Sequence, residues 1–174
     1  MSKIRWMLGA LVLAVIGLVP VLGSTAPAGA DPGTILKFDV MAPVTGPYVG
    51  TMNPIRTVPG GGLPWMISSG TGSLTRDGHL KITVVGLVLA DAAPVPASLR
   101  GTNPVPDFEA IVSCQTISAT GAATVTNVST APFPASTAGN SDINTMVSLP
   151  HPCIAPIVFV FGAPNVGWFA ATGS

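Results

Sequence analysis

Beyond residue 30, apolar side chains recur at every second position or in short unbroken runs. The three- and four-residue spacing of a helix face is almost absent. Over residues 34–41, Leu36, Phe38 and Val40 alternate with Lys37 and Asp39, the pattern of a half-buried strand. Residues 69–76 and 79–89 flank Asp77-Gly78, a dipeptide that favours a type I′ hairpin because both central residues then need positive φ. On the second arm Leu80, Ile82 and Val84 alternate with Lys81 and Thr83, and residues 85–89 turn apolar on both faces. Residues 107–118 predict a strand with Phe108, Ala110, Val112 and Cys114 on one face and Glu109, Ser113 and Gln115 on the other. After a turn at Thr120-Gly121, residues 123–129 read as the returning strand. Residues 142–149 alternate again. The apolar run 157–161 marks a central strand buried on both faces, and residues 166–171 close the set after a turn at Asn165-Val166-Gly167.

Between these runs lie segments rich in proline and glycine at 42–64, 91–106 and 130–140, with a short strand expected at 48–52. Eight or nine strands at regular spacing predict an all-β fold. Its natural form is a two-sheet antiparallel β-sandwich of immunoglobulin-like or jelly-roll type, with a closed barrel as the alternative.

The first 30 residues follow a different pattern. Lys3 and Arg5 precede an apolar run from Trp6 to Leu22, and Ala28-Gly29-Ala30 is an A-x-A cleavage site. These are the parts of a secretory signal peptide, whose peptidase accepts only small side chains at that site. A retained transmembrane anchor would also need an apolar run, but Pro20 and the A-x-A site argue against it. The expected mature protein is a single secreted β-domain, 31–174, without stable membrane insertion. The leader's richness in Ala, Gly and Val suggests a bacterial host.

Export changes the reading of charge and cysteines. Without Lys3 and Arg5, five basic residues face seven acids, a net charge of −2. That sign disfavours nucleic-acid binding, which draws its affinity from cationic side chains. Charged residues make up only 8% of the sequence, so the surface is built from Thr, Ser, Asn, Gly and Pro. An uncovered sheet edge on such a surface invites self-association. In an exported chain, Cys114 and Cys153 have one intramolecular pairing, a disulfide.

Candidate chemistry is sparse. His79 follows a hairpin tip, where it is expected to be solvated, and His151 lies between two prolines, where a structural position is expected. With both cysteines oxidised, the side chains for a three- or four-ligand zinc site are missing, and no metal or cofactor is expected. Asp107 and Glu109 share one strand face and offer the one carboxylate pair that could serve a hydrolase or hold calcium weakly. An exposed strand edge at the end of a loop is the commoner origin of such a pair. No G-x-S-x-G elbow is present, and the Gly-rich stretch from Ser68 to Ser73 leads into a strand, not the helix a phosphate loop needs. Asn127-Val128-Ser129 matches a glycosylation acceptor, which a bacterial host leaves unused. Tyr48 and Trp65 flank the Gly-rich loop and are the best candidates for a sugar-stacking platform, although a Trp in this position is more often a buried core anchor.

Several segments carry a resemblance. They include Gly61-Gly62-Leu63-Pro64-Trp65, Leu74-Thr75-Arg76-Asp77-Gly78-His79-Leu80, Ile111-Val112-Ser113-Cys114 and Asn127-Val128-Ser129-Thr130. Gly86-Leu87-Val88-Leu89-Ala90, Pro152-Cys153-Ile154-Ala155-Pro156-Ile157-Val158-Phe159-Val160 and Trp168-Phe169-Ala170-Ala171-Thr172-Gly173 complete the set. In chain order they resemble a group of small uncharacterised secreted bacterial proteins. The resemblance implies export and one shared domain, and it transfers no site residue. The leading expectation is a secreted, non-enzymatic β-sandwich with a structural or binding role at the cell surface or in the extracellular matrix. Its expected partners are an extracellular glycan, a protein or a second copy. A carbohydrate-binding module using loop aromatics comes next, and a carboxylate-dependent hydrolase after it.

Overall fold

The computed structural model describes residues 33–163 and 167–173. The expected signal peptide, 1–30, and Asn165 and Val166 of the expected last turn lie outside the described residues. In chain order the strands are β1 (Thr34–Phe38), β2 (Met41–Pro43), β3 (Trp65–Met66), β4 (Ser69–Thr75), β5 (His79–Val85) and β6 (Val88–Leu89). They continue with β7 (Asp107–Ile117), β8 (Ala123–Ser129), β9 (Phe133–Pro134), β10 (Ser141–Met146), β11 (Ile154–Phe161) and β12 (Trp168–Thr172). One sheet has the order β1-β4-β5-β10 and a second β2-β12-β11-β7-β8, with β9 also on β7; β3 and β6 pair separately. Every named pairing is antiparallel. The fold is all-β and sandwich-like, and eight of the strands run five residues or more.

The alternation read from sequence sets the core. Register places Ala110 and Val112 of β7, Val158 and Val160 of β11 and Ala170 of β12 on one face of the second sheet. They join Leu74, Leu80, Ile82, Val84 and Ile143 of the first sheet in one buried cluster. Each fully buried Leu or Ile contributes about 1.5–3 kcal/mol relative to exposure. Phe159, on the opposite face of β11, is also fully buried. Residues 44–64 fold back over that face and are tied to β12. The Gly61 amide donates to the Trp168 carbonyl at 2.8 Å, the Trp168 amide to the Pro59 carbonyl at 2.9 Å, and the Val44 amide to the Phe169 carbonyl at 2.8 Å. Gly60 is required there, because the Tyr48 carbonyl and a Val44 methyl occupy the space a Cβ would fill.

Four expectations change. The expected strand over 34–41 divides at Asp39-Val40, where the chain passes from the first sheet to the second. The crossing breaks the alternation, so Val40 is 68% exposed while Phe38 and Met41 are both buried. Residues 48–52 hold no strand; Pro47 sits inside a 3-10 turn, Gly46–Tyr48, instead. The Asp77-Gly78 hairpin forms, but only Gly78 has positive φ, at 95°. The Gly78 amide bonds the Thr75 carbonyl at 3.0 Å, giving a type I turn followed by a left-handed glycine. A side chain at Gly78 would strike the Val147 carbonyl, so the turn tip also docks on the chain after β10. Finally, the run 79–89 is interrupted at Gly86, with φ of 66°, and resumes as β6.

Cys114 and Cys153 form the expected disulfide, with Cα atoms 4.9 Å apart. It ties the centre of β7 to the residue before β11, and Cys114 is fully buried. Closing a loop with a sequence separation of 39 residues stabilises the fold by about 4 kcal/mol through the unfolded chain's entropy. A Cys114→Ala/Cys153→Ala variant is expected to lose about that much unfolding free energy in urea titration. An unchanged midpoint would contradict the assignment.

Candidate functional site

Adjacent residues of β12 divide the aromatic side chains between two faces of the second sheet. Phe169 stacks on Trp65, with centroids 3.9 Å apart and planes inclined by 13°, and meets Phe108 edge-on at 6.3 Å. Trp168 meets Phe159 at 6.0 Å and Tyr48 at 6.3 Å. A register irregularity between Val160 and Phe161 of the facing strand accompanies this change of face. Trp65 is only 4% exposed, whereas Tyr48 is 46% exposed. The two expected platform residues are therefore not brought together. One face of Trp65 is spent on Phe169, which leaves Tyr48 as the ring open to solvent.

Trp65 and Phe169 instead wall an apolar hollow of about 290 Å³, completed by Leu63, Leu89, Leu99 and Val105. Ligand pockets begin at about 300 Å³, so this one suits a small apolar group. Its rim is fixed by Asn103, whose amide donates to the Val105 and Ser136 carbonyls at 2.8 and 2.9 Å and whose Oδ1 accepts from the Val105 amide at 3.1 Å. Asn103 is itself buried. Its chemistry follows from this: a polar side chain satisfied on both ends closes a loop that supplies apolar walls.

The titratable candidates are scattered. Asp107 and Glu109 are half-buried at the start of β7, opposite Pro134 of β9 and Phe161 of β11 respectively, and line neither this hollow nor the next. His79 is not simply solvated: a ring N–H donates to Asn144 Oδ1 at 2.7 Å across to β10. His151 is exposed and, with Arg76, lines a second hollow of about 330 Å³ beside Asp77. A hydrogen bond from the Thr75 hydroxyl holds the Asp77 carboxyl below the usual carboxylate range. Its contribution to the turn is present above the unfolded pKa and is lost as pH falls through the lower folded value.

Sequence pattern gave no hint of a turn at Arg56-Thr57. Both residues have positive φ, 48° and 70°, and Ile55 and Val58 exchange backbone hydrogen bonds of 3.0 and 2.9 Å around them. These are the φ signs of a type I′ turn, made without the Gly or Asn that normally signals one. A left-handed residue of this kind costs about 1–2 kcal/mol. The offset comes from β7 and β8: the Arg56 guanidinium donates to the Ser113 carbonyl at 2.8 Å, and the Asn127 side-chain Nδ2 donates to the Arg56 carbonyl and Thr57 Oγ1, each at 3.1 Å. Asn127 thus acts as a latch on the covering segment, and its side chain is engaged where the acceptor motif would need it free.

Asn127→Ala is expected to lower the unfolding free energy by about 1–2 kcal/mol in urea titration, through two lost hydrogen bonds and a strained turn left unsupported. A change under a few tenths of a kcal/mol would contradict the latch. No family model, curated protein or solved structure matches the chain.

Proposed function

We propose that this chain is an exported β-sandwich with a non-enzymatic structural or binding role at the cell surface or in the extracellular matrix. The observation that carries the reading is the buried Cys114–Cys153 disulfide, a cross-link that persists in oxidising compartments. The leader pattern of residues 1–30 supports the same destination. Among the described residues no helix is long and apolar enough to cross a membrane. A low-charge surface and two packed sheets suit a scaffold, and the hollow at Trp65 and Phe169 gives the binding role its chemistry: a small apolar group enters, not a sugar face.

A carbohydrate-binding reading now rests on Tyr48 alone, since Trp65 is buried. Stacking a sugar against one exposed ring is weaker support than a two-ring platform.

The test is expression of the whole chain in a bacterial host, followed by fractionation and intact mass measurement. The expected product begins at Asp31, carries the oxidised pair Cys114–Cys153, and is recovered from the medium or the cell envelope. Full-length, reduced protein confined to the cytosol would overturn the proposal.

A further inference from the structure

The second sheet ends on β8, whose only strand partner among the described residues is β7. The phase of that ladder is set by its two ends. The Thr130 amide bonds the Ala110 carbonyl at 2.9 Å, and the Ser118 amide bonds the Ala122 carbonyl at 2.8 Å. Even-numbered residues of β8 therefore point their peptide groups at β7, because hydrogen-bonded pairs alternate along an antiparallel ladder. Ala123, Val125, Asn127 and Ser129 point theirs outward, where no described residue receives them.

The other sheet edges carry the features that block strand addition. In the first sheet β1 holds Lys37 and β10 holds Asp142. In the second, β2 is short, contains Pro43, and continues into Val44, whose carbonyl accepts from the Trp65 amide at 3.0 Å. Charges, proline and coverage are the usual protection of an edge. β8 reads Ala-Thr-Val-Thr-Asn-Val-Ser and has neither a charge nor a proline. Most of its residues are exposed, and beside it lie two exposed apolar side chains, Ile117 of β7 and Ile154 of β11.

We propose that β8 is a homodimerisation strand: two copies of this chain pair β8 to β8, antiparallel, and join their second sheets into one. The occupant is argued from self-complementarity. With a two-fold axis at Thr126, Ala123 faces Ser129 and Val125 faces Asn127 of the second copy, so every outward peptide group finds a partner. No like charges meet in this register, because the strand has none. A strand antiparallel to itself satisfies both copies with the same residues. The proposal does not depend on the cellular role inferred above.

The test uses the mature chain, 31–174, in sedimentation and native-state hydrogen exchange over a range of concentrations. A reversible dimer is expected, with the Val125 and Asn127 backbone amides gaining protection as concentration rises. Val125→Pro removes one outward donor while leaving the β7 ladder intact, and should weaken the dimer about tenfold or more. A chain that stays monomeric throughout would overturn the proposal. So would a dimer that Val125→Pro leaves unchanged, or protection that grows on β1 or β10 instead. The exchange measurement on the unaltered chain decides the matter even if the proline variant does not fold.

Discussion

The centre of the second sheet is apolar on both faces, and most of the architecture answers that condition. Phe159 and Val160 are consecutive and both fully buried, so β11 cannot leave either side to water. The first sheet covers one side with Leu74, Leu80, Ile82 and Val84. The other needs a third layer, which residues 44–64 supply. Backbone bonds from Val44 and Gly61 to β12, and from Trp168 back to Pro59, fix that layer where Trp168 and Phe169 turn to opposite faces. Tyr48, the latch at Asn127 and the strained Arg56-Thr57 turn all belong to the cover. Trp65 follows immediately after it, and its stacking on Phe169 creates the hollow. The candidate site is thus a by-product of the same constraint that closes the core.

Much of this was legible in the chain itself. The alternation of Leu80, Ile82 and Val84 against Lys81 and Thr83 is the burial pattern of β5 as observed. Phe108, Ala110, Val112 and Cys114 are buried on β7 as expected, and Cys114 and Cys153, the chain's two cysteines, form the one pairing open to them. What failed has a common physical cause: local patterns cannot show where a chain changes partners. Leu36, Phe38 and Val40 alternate perfectly, yet the crossing between sheets at Asp39 exposes Val40. Asp77-Gly78 predicts a hairpin correctly, but the docking of Gly78 against Val147 selects a different turn. Conversely, Arg56-Thr57 carries no turn signal, because its conformation is imposed by Ser113 and Asn127, 57 and 71 residues away from Arg56 in sequence.

The site was less legible than the fold. Aromatic residues next to a Gly-rich loop suggest a platform, and the sequence cannot say which ring will be captured by the core. Trp65 buries a large apolar surface against Phe169, and a stacked pair of this kind adds about 0.5–1.5 kcal/mol beyond its area. That preference removes Trp65 from the surface and leaves Tyr48 behind. The hollow itself is assembled from residues 62, 63, 65, 89, 99, 104, 105 and 169, whose convergence no spacing rule encodes.

Residues 44–64 form a structural layer of the sandwich and not a loose surface loop. Native-state hydrogen exchange tests it directly through the amides of Val44, Val58 and Gly61, each of which bonds a backbone carbonyl within or beside the cover. These amides are expected to exchange only on global unfolding, with the same opening free energy as Val112 and Val158 in the core. Exchange at the rate of an open loop, while the core amides remain protected, would contradict it.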